Sequence, residues 1–121
     1  MFKLKKTRSF SWPVTVTTPE NGKHTRSVFT AEFRELPREE LLAHLEAFKD
    51  PEATAVEQSR RLSEFLEAVL LSVDGVQYET EGGERENDQR EIMSALIEDS
   101  RCAGPLFDAY IEGTAGKTRK N

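Results

Sequence analysis

The stretch SWPVTVTTPENGKHTRSVFTAEFRE, residues 11–35, constrains the fold more tightly than any other part of the chain. Trp12, Val14 and Val16 alternate with Thr15 and Thr17, the two-residue period of a strand with one buried face. Pro-Glu-Asn-Gly follows, and Asn21-Gly22 tolerates the positive backbone angles of a tight hairpin turn. A second strand is predicted from about Thr25 to Phe33, with Phe29, Ala31 and Phe33 on one face. Pro13 has no amide hydrogen to donate, so the first strand starts there or lies at a sheet edge.

Beyond the hairpin the period changes. Leu41, Leu45 and Phe48 stand four and three apart with Leu42 beside them, which predicts a helix with one apolar stripe. Asp50-Pro51-Glu52 reads as the start of a second helix: a capping acceptor, a proline at the first helical position, then an acid. That helix is predicted to reach Leu71, burying Leu62, Phe65, Leu66, Val69 and Leu70, with Glu57, Arg60, Arg61 and Glu64 in water. The segment 72–88 reads as non-helical, with a turn at Asp74-Gly75, a short extended piece at Val76 and Tyr78, and flexible Gly82-Gly83. Asp88 and Glu91 have capping-box spacing before a third helix carrying Ile92, Met93, Leu96 and Ile97. A last helix starts between Ser100 and Pro105, brings Cys102, Leu106 and Tyr110 to one side, and ends at Gly113. Hairpin first and helices after is an α+β order. The expectation is one domain over residues 1–121, a hairpin packed by about four helices, with 1–9 and 114–121 as flexible basic ends.

Composition narrows the function classes. The hydrophobic share is 36% and the charged share 32%, typical of helices that each bury a single stripe. No apolar run approaches the length of about 18 residues that suggests a membrane span, and the basic opening MFKLKKTRS lacks the apolar stretch of a secretory signal. A single cysteine, Cys102, excludes an internal disulfide and fits a reducing cytoplasm. Of the 17 basic residues, seven lie in residues 1–9 and 117–121, leaving ten against 22 acids, a net charge of −12 for residues 10–116. Most of such a surface repels duplex nucleic acid.

Residues that could carry chemistry do not assemble into a site. AGKT near the end resembles part of a phosphate-binding loop, but the first glycine of that motif should fall at Ile111, and only three residues follow Thr118. His24 and His44 have no ligand partner at metal spacing. Cys102, followed by Ala103-Gly104, reads as a small buried residue. Asp74-Gly75 lacks the alternating oxygens of a calcium loop, and Glu79, Glu81, Glu84 and Glu86 read as a solvated acidic face. No catalytic, cofactor-binding or metal-ligating residue is assigned, and the chain is not expected to be an enzyme. What remains is binding. Amphipathic helices can offer a groove to another helix; the second helix reads as core, and Leu41, Leu42, Leu45 and Phe48 are the candidate partner-binding stripe.

The order of these features resembles the tail assembly chaperones of long-tailed bacteriophages. The features are FSWPVTV with a Pro-x-x-Gly turn, FTAEFRELPREE, a helix ending in FLEAVLLSVDGV, and the finish AYIEGTAGKTRKN. The resemblance covers nearly the full length. It implies a non-catalytic protein that binds the long helical tape measure protein in the host cytoplasm, keeps it soluble while tail tube subunits polymerise, and is absent from the mature virion. It also implies self-association as a homo-oligomer, no membrane partner, and a longer frameshifted form that recruits the tail tube protein. Gly116-Lys117 would then record a slippery run of nucleotides, or simply an ordinary basic tail. Two rival readings stand beside it. One is a phage tail structural or completion protein retained in the virion. The other is a small nucleic-acid-binding regulator using Lys3, Lys5, Lys6 and Arg8, which the acidic body disfavours.

Overall fold

A computed structural model describes residues 1–115; Gly116-Lys117, and the reading attached to them, lie outside the described residues. Two long strands, β1 (Ser9–Glu20) and β2 (Lys23–Arg34), form the hairpin. Asn21 at φ 51° and Gly22 at φ 78° occupy its two-residue turn, the positive φ at both central residues that this turn type requires. Trp12 pairs with Ala31 and Val14 with Phe29, so the apolar positions share one face. Val14, Val16, Phe29, Ala31 and Phe33 are buried there. β1 is an edge strand, which gives Pro13 a place where its missing amide costs no ladder bond. The strand nevertheless begins at Ser9, four residues before that proline.

After the hairpin come α1 (Arg38–Phe48) and α2 (Ala55–Val69). The second of these does not start at Asp50. Thr54 is the N-cap: its side chain accepts from the Glu57 amide at 3.1 Å, and Glu57 accepts from the Thr54 amide at 2.8 Å. That reciprocal pair satisfies two amides at once, whereas Asp50 spends its carboxylate on the turn amide of Glu52. Nor does α2 reach Leu71. The chain leaves the helix at Val69 and becomes β3 (Leu70–Asp74), a third strand antiparallel to β2. A bulge removes Leu71 from the pairing between Glu32–Ser72 and Phe33–Leu70. One extra residue reverses the side-chain alternation, which is how Leu70 and Val73 both face the core while Leu71 faces out.

The predicted irregular segment holds a small two-stranded ladder, β4 (Tyr78–Glu79) with β5 (Arg85–Glu86). α3 (Gln89–Glu98) and α4 (Ala103–Thr114) complete the described residues. Asp88 caps α3, but its carboxylate takes the Arg90 amide and there is no reciprocal bond from Glu91. Gly113 does not end α4; it lies within the last turn, against the ring of Phe10. Likewise Ser9 belongs to β1 and Thr114 to α4, not to loose ends.

The architecture is α+β in two layers. α4 lies against β1, α2 against β2 and α3 against β3, all on one face of the sheet, while α1 rests mainly on α2. Rings of Phe33, Tyr110 and Phe65 meet edge-to-face at the centre, with centroids 5.2–5.6 Å apart. The Tyr110 hydroxyl accepts the buried Leu36 amide at 3.0 Å, and burial raises the phenol above its ordinary pKa. Residues 19–28 of the hairpin are all exposed. β3 covers only Thr30–Phe33, so the distal hairpin extends past the helical layer.

Candidate functional site

Among the described residues, α1 is the only one of four helices with no buried residue. Its apolar stripe therefore does more than close the core. Leu41 and Phe48 pack against core residues. Leu42 is 53% exposed, and Leu45 stands beside it on the same outer flank. Spacing explains the split: Leu41 sits about 100° around the helix from Leu42, far enough for one to turn inward and the other outward.

Leu42, Leu45 and Phe48 form one wall of an open apolar groove of about 550 Å³. Leu62 of α2 and Phe107 of α4 supply the rest of its apolar lining, and Glu46, Lys49 and Gln58 stand at its margin. Phe48 meets Phe107 edge-to-face at 5.6 Å and Phe65 at 6.0 Å. The groove wall is thereby tied to the core through aromatic contacts.

The angle between α1 and α2 is fixed by side chains of α2 that complete the end of α1. Arg61 donates to the Ala47 carbonyl at 2.7 Å and pairs with Asp50 at 3.4 Å. Gln58 donates to the carbonyls of Phe48 and Asp50 at 3.4 and 3.3 Å. The last carbonyls of a helix lack partners within it, so these bonds hold the helix pair at its Asp50 end. Arg61 is accordingly half-buried and does not project into water as its sequence position suggests. On the other flank, His44 packs edge-on against Phe65 at 5.2 Å and acts as a packing residue.

Of the four stripe residues, the fold brings Leu42, Leu45 and Phe48 to the groove and sends Leu41 inward. Leu62 and Phe107 complete it without having been singled out for binding. Phe107 is next to Leu106 and three before Tyr110, so it lies off the Cys102–Leu106–Tyr110 line that marks the buried side of α4. An aromatic residue beside a core stripe was the signal available.

The groove carries apolar contact and little else. Among the described residues, the two groups with raised pKa values lie elsewhere. Tyr110 is in the core, and Cys102, at the start of α4, is pushed up to about 11 by burial and by the neighbouring Asp99 carboxylate. Among the described residues, no three His, Cys, Asp or Glu side chains are placed to hold a metal ion, and no helix is long and apolar enough to cross a membrane. A separate, smaller cavity of about 210 Å³ gathers Lys5, Lys6, Arg8, Arg34 and Arg38 around Glu35. Arg8 pairs with Glu35 at 3.6 Å, and Arg34 donates to the Ala68 carbonyl at 3.1 Å. Comparison with known proteins finds no matching family model, no matching curated protein and no matching solved structure.

Proposed function

We propose that this chain is a non-catalytic helix-binding chaperone that lends apolar surface to a larger helical partner. The particular role that fits is that of a phage tail assembly chaperone, acting in the host cytoplasm on the tape measure protein and absent from the finished virion. The observation that carries the reading is the groove between α1 and α2, lined by Leu42, Leu45, Phe48, Leu62 and Phe107, which no element covers among the described residues. An amphipathic helix presenting apolar residues at i, i+3, i+4 and i+7 is the ligand such a groove suits. A long client with repeated apolar stripes would aggregate if left bare. Single grooves of modest affinity, joined by self-association of the chaperone along the client, would cover it and still come away one at a time. In the same reading, a longer frameshifted form brings the tail tube protein.

Leu45→Asp tests this directly. Fully burying one leucine contributes about 1.5–3 kcal/mol, so losing this anchor and placing a carboxylate there should weaken client binding by about 30-fold or more. Leu45 is only half-buried, so the variant should keep its secondary structure and cooperative melt. Client co-purification lost from a folded variant is the expected result. Undiminished co-purification refutes the groove, and recovery of the wild-type chain from purified virions favours a retained tail component.

A further inference from the structure

We propose that the cavity between the N-terminal segment and the start of α1 binds a compact phosphate anion, a phosphate or diphosphate group. The cavity shares no lining residue with the α1–α2 groove, and the assignment does not depend on the client reading.

Five cations, Lys5, Lys6, Arg8, Arg34 and Arg38, line a recess of about 210 Å³. Among the described residues, Glu35 is the only acid in that lining, so five charges less one leave a net +4. The rest of the chain has the opposite balance, with ten basic residues against 22 acids over residues 10–116. Like charges gathered in a recess repel one another, and a multiply charged anion relieves that repulsion on entering.

Three of the cations are held in place. Arg8 pairs with Glu35 at 3.6 Å, and its carbonyl accepts the Glu35 amide at 2.9 Å. Arg34 is half-buried and donates from one terminal nitrogen to the Ala68 carbonyl at 3.1 Å; a guanidinium has five N–H donors, so others serve a ligand. Arg38 is the first residue of α1, where a cation opposes the helix dipole. Among the described residues, no acid pairs with Arg38, Lys5 or Lys6. Glu39 and Glu40 follow Arg38 in the first turn of α1, but neither lines the cavity.

The donors select the anion. A guanidinium presents paired N–H groups that match the oxygens of a phosphate. A carboxylate brings a single charge, which leaves most of the +4 unanswered, whereas a phosphate monoester carries about −1.5 to −2 at pH 7. The end of α1 adds to the attraction: Pro37 gives it no side-chain cap, and Leu36, Pro37 and Arg38 line the recess, which puts the positive end of the dipole there. The recess has room for several water molecules and so for a diphosphate. A nucleic-acid strand suits it less, because its charges are spread one to a phosphate and the acidic body repels the remainder.

The test is calorimetric titration of the full chain, in phosphate-free buffer at low salt, with inorganic phosphate, sodium diphosphate and a short single-stranded oligonucleotide. Saturable one-to-one binding of diphosphate is expected, about tenfold tighter than phosphate and weakened by added salt. Arg38→Ala should weaken diphosphate binding about tenfold, the usual effect of one charged contact. Glu35→Gln removes the opposing acid and should tighten binding by a similar factor, a gain that damage to the fold does not produce. Lys23→Ala, at the far end of the hairpin, should leave the affinity unchanged. No saturable diphosphate binding overturns the proposal, as does no gain from Glu35→Gln. Equal weakening by Arg38→Ala and Lys23→Ala overturns it too, by showing diffuse attraction without a site. Tighter binding of the oligonucleotide than of diphosphate overturns the compact anion in favour of nucleic acid.

Discussion

Replacing Gly113 by alanine sets two effects of opposite sign against each other. At an ordinary mid-helix position, glycine to alanine gains about 1 kcal/mol, because alanine loses less backbone freedom on folding. At Gly113 an added Cβ overlaps Phe10 Cε2 and lies 2.9 Å from Cδ2 and 3.1 Å from Cζ. That ring cannot yield freely, since it packs against Phe33 at 5.5 Å and Tyr110 at 5.8 Å. Overpacking of this kind costs about 1–3 kcal/mol, and expelling the half-buried ring forfeits about 1–2 kcal/mol of apolar burial besides. The net expectation is a loss of about 1–4 kcal/mol, or about 4–16 °C in Tm at about 4 °C per kcal/mol for a domain of this size. Denaturant unfolding followed by circular dichroism measures it. Trp12, whose indole N–H donates to Glu112 one residue from the site, reports locally by fluorescence. Adding Phe10→Leu should recover part of the loss, the coupling expected of two residues in direct contact. Stabilisation of Gly113→Ala by about 1 kcal/mol would refute the close approach of α4 to β1.

Two further outcomes follow from buried polar groups. Tyr110→Phe should cost about 1–3 kcal/mol, because it leaves the buried Leu36 amide without its acceptor. The folded phenol titrates above its ordinary 10.0, so its contribution is intact below that pH and falls as pH rises past it. The variant's stability should therefore decline less steeply than wild type in alkali, and an unchanged slope would contradict the assignment. The Cys102 thiol, raised to about 11 from 9.0, is almost wholly protonated at pH 8. Alkylation there should run more than tenfold slower than for a free cysteine and match it once the protein is unfolded; equal rates in the folded state would contradict the half-buried, acid-flanked setting.

The hairpin was legible because it obeys local rules only. Period-two alternation from Trp12 and the Asn21-Gly22 turn specify strand, register and buried face without reference to the rest of the chain. β3 was not legible. Leu70 continues the helical spacing of Leu62, Leu66 and Val69, and only pairing with β2, through a bulge at Leu71, makes it a strand. The start of α2 was misplaced at Asp50-Pro51, because the reciprocal Thr54–Glu57 pair, which satisfies two amides, forms the cap instead. Gly113 has the look of a helix stop. Its reason is tertiary: the absence of a side chain lets Phe10 pack closely. The groove was half legible. The stripe on α1 is plain in the spacing, but which of its leucines faces out depends on α2 and on Phe107, a residue 59 positions beyond Phe48.

The central claim is that the face shared by α1 and α2 receives a helix. Methyl chemical-shift mapping measures this most directly, by titrating the chain with a peptide from the predicted helical part of a tape measure protein. The account predicts that Leu42, Leu45 and Leu62 methyl signals move first and saturate together, while Val28 on the distal hairpin stays still. Movement confined to the hairpin, or none at peptide concentrations well above that of the protein, would contradict it.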